Sequence, residues 1–175
     1  MDSKDTNTLS PTNKLLIIHP GALGDVVTLF GLIAELKKRF RQTTMVCAPT
    51  VSKLAQAFSI VDRAISQEAG YWASLYGGQP SERVLQLLCE HRTIILFTVG
   101  KELEIIINAQ VSEPCLRVPP RPPANERIHV ARFVAEVLVA NGMLDQVPTP
   151  QSAACKQIAR AGMPAKKNRS IILLH

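Results

Sequence analysis

Four aliphatic residues in a row, Leu15, Leu16, Ile17 and Ile18, lead into a proline-glycine loop, HPGALG, and the chain leaves that loop with helical periodicity. No other stretch narrows the choice of fold as much. Because no polar residue alternates with the aliphatic ones, both faces of this extended segment must be covered, which is the pattern of a strand inside a parallel sheet. Pro20, Gly21 and Gly24 break the strand. From Asp25 onward Val26, Leu29, Phe30, Ile33, Leu36 and Phe40 recur at three- and four-residue steps. That spacing predicts one helix with an apolar stripe against the sheet. Lys37, Lys38 and Arg39 crowd its last turn, where cations complement the helix dipole.

A glycine loop between a buried strand and a helix start leaves unpaired N–H groups at the carboxyl end of a sheet, where open α/β folds bind ligands. The candidate site is therefore Gly21, Ala22, Leu23 and Gly24, with Asp25 at or near the helix N-cap. Two roles are open to Asp25. Its carboxylate can cap the helix by accepting from backbone amides, or it can remove a proton from a substrate hydroxyl. Capping bonds and the positive helix end keep a carboxylate ionised but weaken it as a base. The competing motif, a dinucleotide-binding GxGxxG, lacks its third glycine here. The ribose-binding acid expected after the second strand is also missing, since CAPTVSK follows TTMV.

The remaining chain alternates short apolar runs with amphipathic segments, which argues for a doubly wound α/β domain with a mostly parallel sheet. Residues 44–48 read as the second strand, 51–58 as a short helix with Thr50 as its cap, and 60–66 as a weak third strand. Residues 68–80 hold Tyr71, Trp72 and Tyr76 beside Gly77 and Gly78, a satellite core or a ligand platform. A helix begins at Pro80 and Ser81 and runs to Cys89, and TIILF at 93–97 is the clearest strand after the first. It leads to Gly100, so this loop should open on the same edge as the first one. A helix over 101–109 and a strand over 115–118 follow, then PPRPP as a stiff surface connection. The last periodic segment, 126–140, ends at Asn141 and Gly142. His129 and Arg132 lie one turn apart on it; ring packing and an ion pair are their plain roles, contact with a sugar phosphate the functional one.

With 175 residues and 46% hydrophobic content the chain can bury the core of one domain. Its longest apolar stretches fall short of the roughly 18 residues a membrane span needs. The polar N-terminus has no apolar core of a secretory signal, which predicts a cytoplasmic protein. Cys47, Cys89, Cys115 and Cys155 form no CxxC pair, and small buried hydrophobes are the expected role. The net charge of +6 comes with basic clusters at Lys37 to Arg41 and at Lys156 to Arg169. Such a balance suits an anionic ligand or surface, but aromatics are sparse and none interleaves with the basic runs, which argues against nucleic acid. No HxxxH or DxD pattern points to a metal.

PGALGDVV after an apolar strand, followed by a helix ending in LKKRF, resembles the opening of the family 9 glycosyltransferases, the heptosyltransferases of lipopolysaccharide core assembly. The match is specific over residues 14–40 and looser beyond. The resemblance implies that Asp25 is the catalytic base, with Gly21, Ala22, Leu23, Gly24, Gly100 and His129 as acceptor or phosphate contacts. It implies a Rossmann-like sheet forming the N-terminal, acceptor-side half of a GT-B enzyme. It further implies inverting transfer of a sugar from an ADP-heptose-like nucleotide-sugar donor to a lipopolysaccharide-core or similar anionic glycolipid, peripheral to the inner membrane face, with neither cofactor nor metal. RSIILLH at the chain end echoes KLLIIH at the first strand. The expected organisation is a disordered tail at 1–13, the acceptor-side domain at 14–144, a linker region at 145–169, and the first strand of a donor domain at 170–175. Such a fragment would be inactive alone. Two other classes remain open: the nucleotide-binding domain of an oxidoreductase, and a non-catalytic module that docks on a membrane surface or a protein.

Overall fold

The computed structural model describes residues 13–148. The expected tail, most of the expected linker, the final strand, Cys155 and the second basic cluster lie outside the described residues. Five strands, β1 (Lys14–His19), β2 (Gln42–Cys47), β3 (Arg63–Ser66), β4 (Thr93–Phe97) and β5 (Leu116–Val118), form one sheet in the order β3-β2-β1-β4-β5. Every pairing is parallel. The aliphatic run sits at the centre, as its lack of alternation requires: Leu15 to Ile18 are all buried between β2 and β4.

Two cores flank the sheet, because successive side chains of a strand point to opposite faces. Leu15, Ile17, Met45, Cys47, Ile95 and Phe97 meet helices α1 (Leu23–Val27), α2 (Phe30–Lys37) and α3 (Pro49–Ala57), together with the final α7 (Val130–Ala140). Leu16, Ile18, Val46, Ile94 and Leu96 face the other way, toward α4 (Ala73–Tyr76), α5 (Glu82–Cys89) and α6 (Glu102–Asn108). Trp72 ends a 3₁₀ turn at Gly70–Trp72 and belongs to this second core, 1% exposed, rather than to a satellite cluster or a ligand platform. Tyr71 is partly buried beneath the Arg83 guanidinium, 4.3 Å from its ring centre, and Tyr76 is half exposed.

The first helix departs from the single element that its periodicity predicts. Thr28 Oγ1 donates to the Asp25 carbonyl at 2.8 Å, and Leu29 N–H bonds Val26 rather than the residue four back. Such back-bonding by threonine, beside Val26 and Val27, bends a helix and here divides it into α1 and α2. The stripe nonetheless survives the break, with Val26, Leu29, Phe30, Ile33 and Leu36 all buried. The basic residues after it are engaged locally: Lys37 with Asp62 at 2.8 Å, Lys38 with Glu35, and Arg39 with Asp145 at 2.9 Å and the Met143 carbonyl at 3.0 Å.

Smaller corrections have equally local causes. Thr50 is not a cap: α3 starts at Pro49, whose fixed φ and missing N–H suit the first helical position, with Ala48 before it. The third strand shortens to Arg63–Ser66, since Ile60 and Val61 turn into the first core ahead of it. The last helix begins at Val130 instead of 126, with His129 as its N-cap. Cys47 and Cys115 are buried as expected, but Cys89 is exposed at the end of α5. No helix among the described residues is long and apolar enough to cross a membrane.

Candidate functional site

From β1 the chain winds one way through β2 and β3, then crosses to β4 on the other side of β1, and the helices change faces with it. The carboxyl ends of β1 and β4 thus flank the point where strand order reverses, and open α/β sheets bind ligands in that crevice. Beside that point the edge carries residues 20–22 after β1, 98–101 after β4, and 119–129 after β5.

His19, the last residue of β1, forms the floor of the first connection. Its ring is 1% exposed and stacks on Phe97 at the end of β4, with 4.5 Å between ring centres. Its Nδ1 accepts the Gly21 N–H at 3.1 Å, so the neutral ring carries its proton on Nε2, which has no partner among the described residues. Burial pushes the imidazole pKa down to about 4, against smaller opposing effects from its backbone hydrogen bond and the Asp25 charge. The glycine at 21 is a steric necessity. A Cβ there would stand 2.6 Å from His19 Cε1 and 2.9 Å from Nδ1.

Asp25 is not the N-cap. That place belongs to Ala22, in extended conformation and without a capping side chain, and Asp25 lies in the first turn of α1. Its carboxylate is 27% exposed on the rim, and Arg121 Nη2 donates to both of its oxygens, at 3.1 and 3.0 Å. Arg121 itself is 69% exposed, at the centre of PPRPP in the connection after β5. The proline-rich loop therefore supplies the site's cation, a role invisible in its sequence, where only stiffness is legible. The one charged residue in PPRPP is all that the sequence shows of it, and nothing there names its partner.

The other expected residues spread around this centre. Ala22, Leu23 and Gly24 are exposed, and Leu23 is 42% accessible beside Asp25. Helix α1 has only five residues, so the dipole contributed by its amides is small. Gly100 tops the neighbouring β4 connection, with the Glu102 carboxylate folded over it. The preceding Val99 is 77% exposed, and Arg117 of β5 steadies this turn through the Val99 carbonyl at 3.3 Å and Glu104 at 2.8 Å. His129 is exposed and accepts the Ala131 N–H at 3.2 Å, while Arg132 pairs with Glu136 at 2.9 Å. Both border a cavity of about 600 Å³ whose opposite wall is Thr28, Gly31 and Leu32 at the α1–α2 break. The structure thus brings Gly21, Asp25 and Arg121 together, and puts His129 on an adjoining cavity across from Thr28.

A doubly wound, all-parallel five-stranded sheet flanked by helices on both faces is a Rossmann-like fold. No family model matches the sequence, and no curated protein does. Among solved structures the chain is similar to a glycosyl transferase family 9 protein from Veillonella parvula, with a TM-score of 0.55 and 14% identity. The match covers 77% of this chain and 43% of that one, so this chain spans less than half of that protein's length. At this identity the likeness is one of fold. MrsD from a Bacillus species matches 75% of this chain at 14% identity with a TM-score of 0.35, too low to support an argument.

Proposed function

We propose that this chain is the acceptor-side half of an inverting glycosyltransferase of the heptosyltransferase type, with Asp25 as its general base. The observation that carries this reading is the Asp25 carboxylate, partly exposed at the reversal point of the sheet and met by one exposed cation instead of by cap bonds. Asp25 accepts the proton of an acceptor hydroxyl as that oxygen bonds to the anomeric carbon of the donor. The bond from that carbon to the nucleoside diphosphate breaks on the opposite face, and the configuration inverts. Arg121, so placed, pairs with the carboxylate in the free protein and can turn to an anionic group on the acceptor. Gly21 to Gly24 and Gly100 frame the acceptor's approach, and His129 borders the cavity alongside.

The donor is an ADP-heptose-like nucleotide sugar, held by a second, donor-side domain. The acceptor is an anionic glycolipid of the lipopolysaccharide-core class, met at the cytoplasmic face of the inner membrane. On this reading the 175-residue chain alone transfers nothing.

The test is Asp25→Asn in the full-length protein, assayed for sugar transfer from ADP-heptose to a deacylated lipopolysaccharide core. Loss of general-base catalysis lowers kcat by about 10²–10⁴. Because the carboxylate makes an exposed ion pair and no cap, stability should change by no more than about 1 kcal/mol. Transfer at the wild-type rate by the folded variant would remove Asp25 from the chemistry.

A further inference from the structure

We propose that His19 is a positioning residue for the Asp25 loop, acting through Gly21 without touching substrate; this rests on the reading of Asp25 given above. Three contacts converge on one point. The place where a Gly21 Cβ would stand is 2.6 Å from His19 Cε1, 2.9 Å from His19 Nδ1 and 3.8 Å from Asp25 Cβ. The imidazole therefore lies directly beneath the turn from which α1 starts, with Asp25 packed on the same turn. Its Nδ1 accepts the Gly21 N–H at 3.1 Å, fixing the first amide after Pro20. Its ring is fixed in turn by the Phe97 stack, so the connection after β1 is tied to the end of β4 across the crevice.

Stability alone does not explain a histidine here. The ring is 1% exposed, yet Nε2–H has no partner among the described residues, and burial disfavours the protonated form. An unpaired buried donor is a cost that phenylalanine would not incur while keeping the stack on Phe97. What phenylalanine lacks is the acceptor for Gly21. A polar group kept at some expense to the core, and directed at the backbone of the candidate site, is what a positioning role requires.

The experiment compares the wild-type 175-residue chain with His19→Phe and His19→Asn, since an Asn Oδ1 stands near the place of Nδ1. Amide hydrogen exchange of Gly21 and the carboxyl ¹³C titration of Asp25 are followed by NMR, with Tm as the measure of fold. In His19→Phe, Gly21 exchange should rise at least tenfold and the Asp25 titration midpoint should move, with Tm unchanged or higher. In His19→Asn both should return toward wild type. Unchanged Gly21 protection and Asp25 titration in a folded His19→Phe would overturn the proposal, as would a fall in Tm as their only change. Should His19→Phe not fold, Gly21→Ala displaces the ring instead. Its loss of Tm should then shrink in the His19→Ala background, and full additivity of the two substitutions would overturn the clamp. None of these readouts depends on sugar transfer, so an Asp25→Asn variant that stays active would refute the base and leave this result standing.

Discussion

Acidification is the perturbation that reports most directly on the ring beneath the loop. His19 titrates near 6.5 when exposed and at about 4 in the folded protein, because burial disfavours the imidazolium. Its folded pKa is thus depressed, so the unfolded chain takes up the proton first. The associated stability is complete above about pH 6.5 and is lost as pH falls toward about 4. A shift of that size corresponds to about 3 kcal/mol once both states are protonated, and to about 1.4 kcal/mol at about pH 5.5. For a domain of this size that intermediate loss lowers Tm by about 5 °C. Urea unfolding between about pH 7 and pH 5 measures it, with His19→Phe as the control that removes this proton uptake. His91, buried between the Leu87 carbonyl at 2.7 Å and Thr44 Oγ1 at 3.0 Å, also titrates below its usual range and keeps its own share in both proteins. The difference between the two proteins isolates His19. If they lose stability in parallel across this window, the imidazole is not held neutral by burial and the reasoning fails.

Other outcomes follow from the packing. Trp72→Ala, which empties a position 1% exposed in the second core, should destabilise the protein by about 3–5 kcal/mol in urea unfolding. Arg121→Ala removes an ion pair that is 69% exposed on the arginine side, so it should change stability by less than about 1 kcal/mol. In the full-length protein the same change should raise KM for an anionic acceptor by about tenfold, and an unchanged KM would deny Arg121 that contact. Among the described cysteines, burial pushes the Cys47 thiol up to about 12 and that of Cys115 to about 11, whereas Cys89 is exposed. Brief labelling of the native protein with a maleimide at neutral pH should therefore modify Cys89 and spare the other two, as read by peptide mass spectrometry.

Much of this architecture was legible in one dimension. A short unbroken aliphatic run that ends at a proline-glycine break reads as a strand covered on both faces, and 15–18 is the centre of the sheet. A three- and four-residue stripe can only be a helix lying on that sheet, and Val26 to Leu36 keep their burial even where Thr28 divides the helix. Both signals are periodic and local, so each segment announces its own surroundings. The glycine loop marked a candidate site for a similar reason, since a strand must break to become a helix and its broken end leaves polar backbone exposed.

What lay beyond reach was every relation between distant segments. Arg121 stands 96 residues from Asp25, and nothing near either predicts their ion pair; it exists because β5 ends on the same sheet edge as β1. His19 reads as the first residue of the loop, whereas it is the last of β1, and only the adjacency of β1 and β4 places its ring on Phe97 and beneath Gly21. Capping was one of the two roles open to Asp25, yet the N-cap is Ala22 and the carboxylate meets an arginine. Periodicity determines what a segment becomes, because burial acts on each residue where it stands. Which side chains then meet at an edge is set by strand order, and strand order belongs to the packing of the whole sheet.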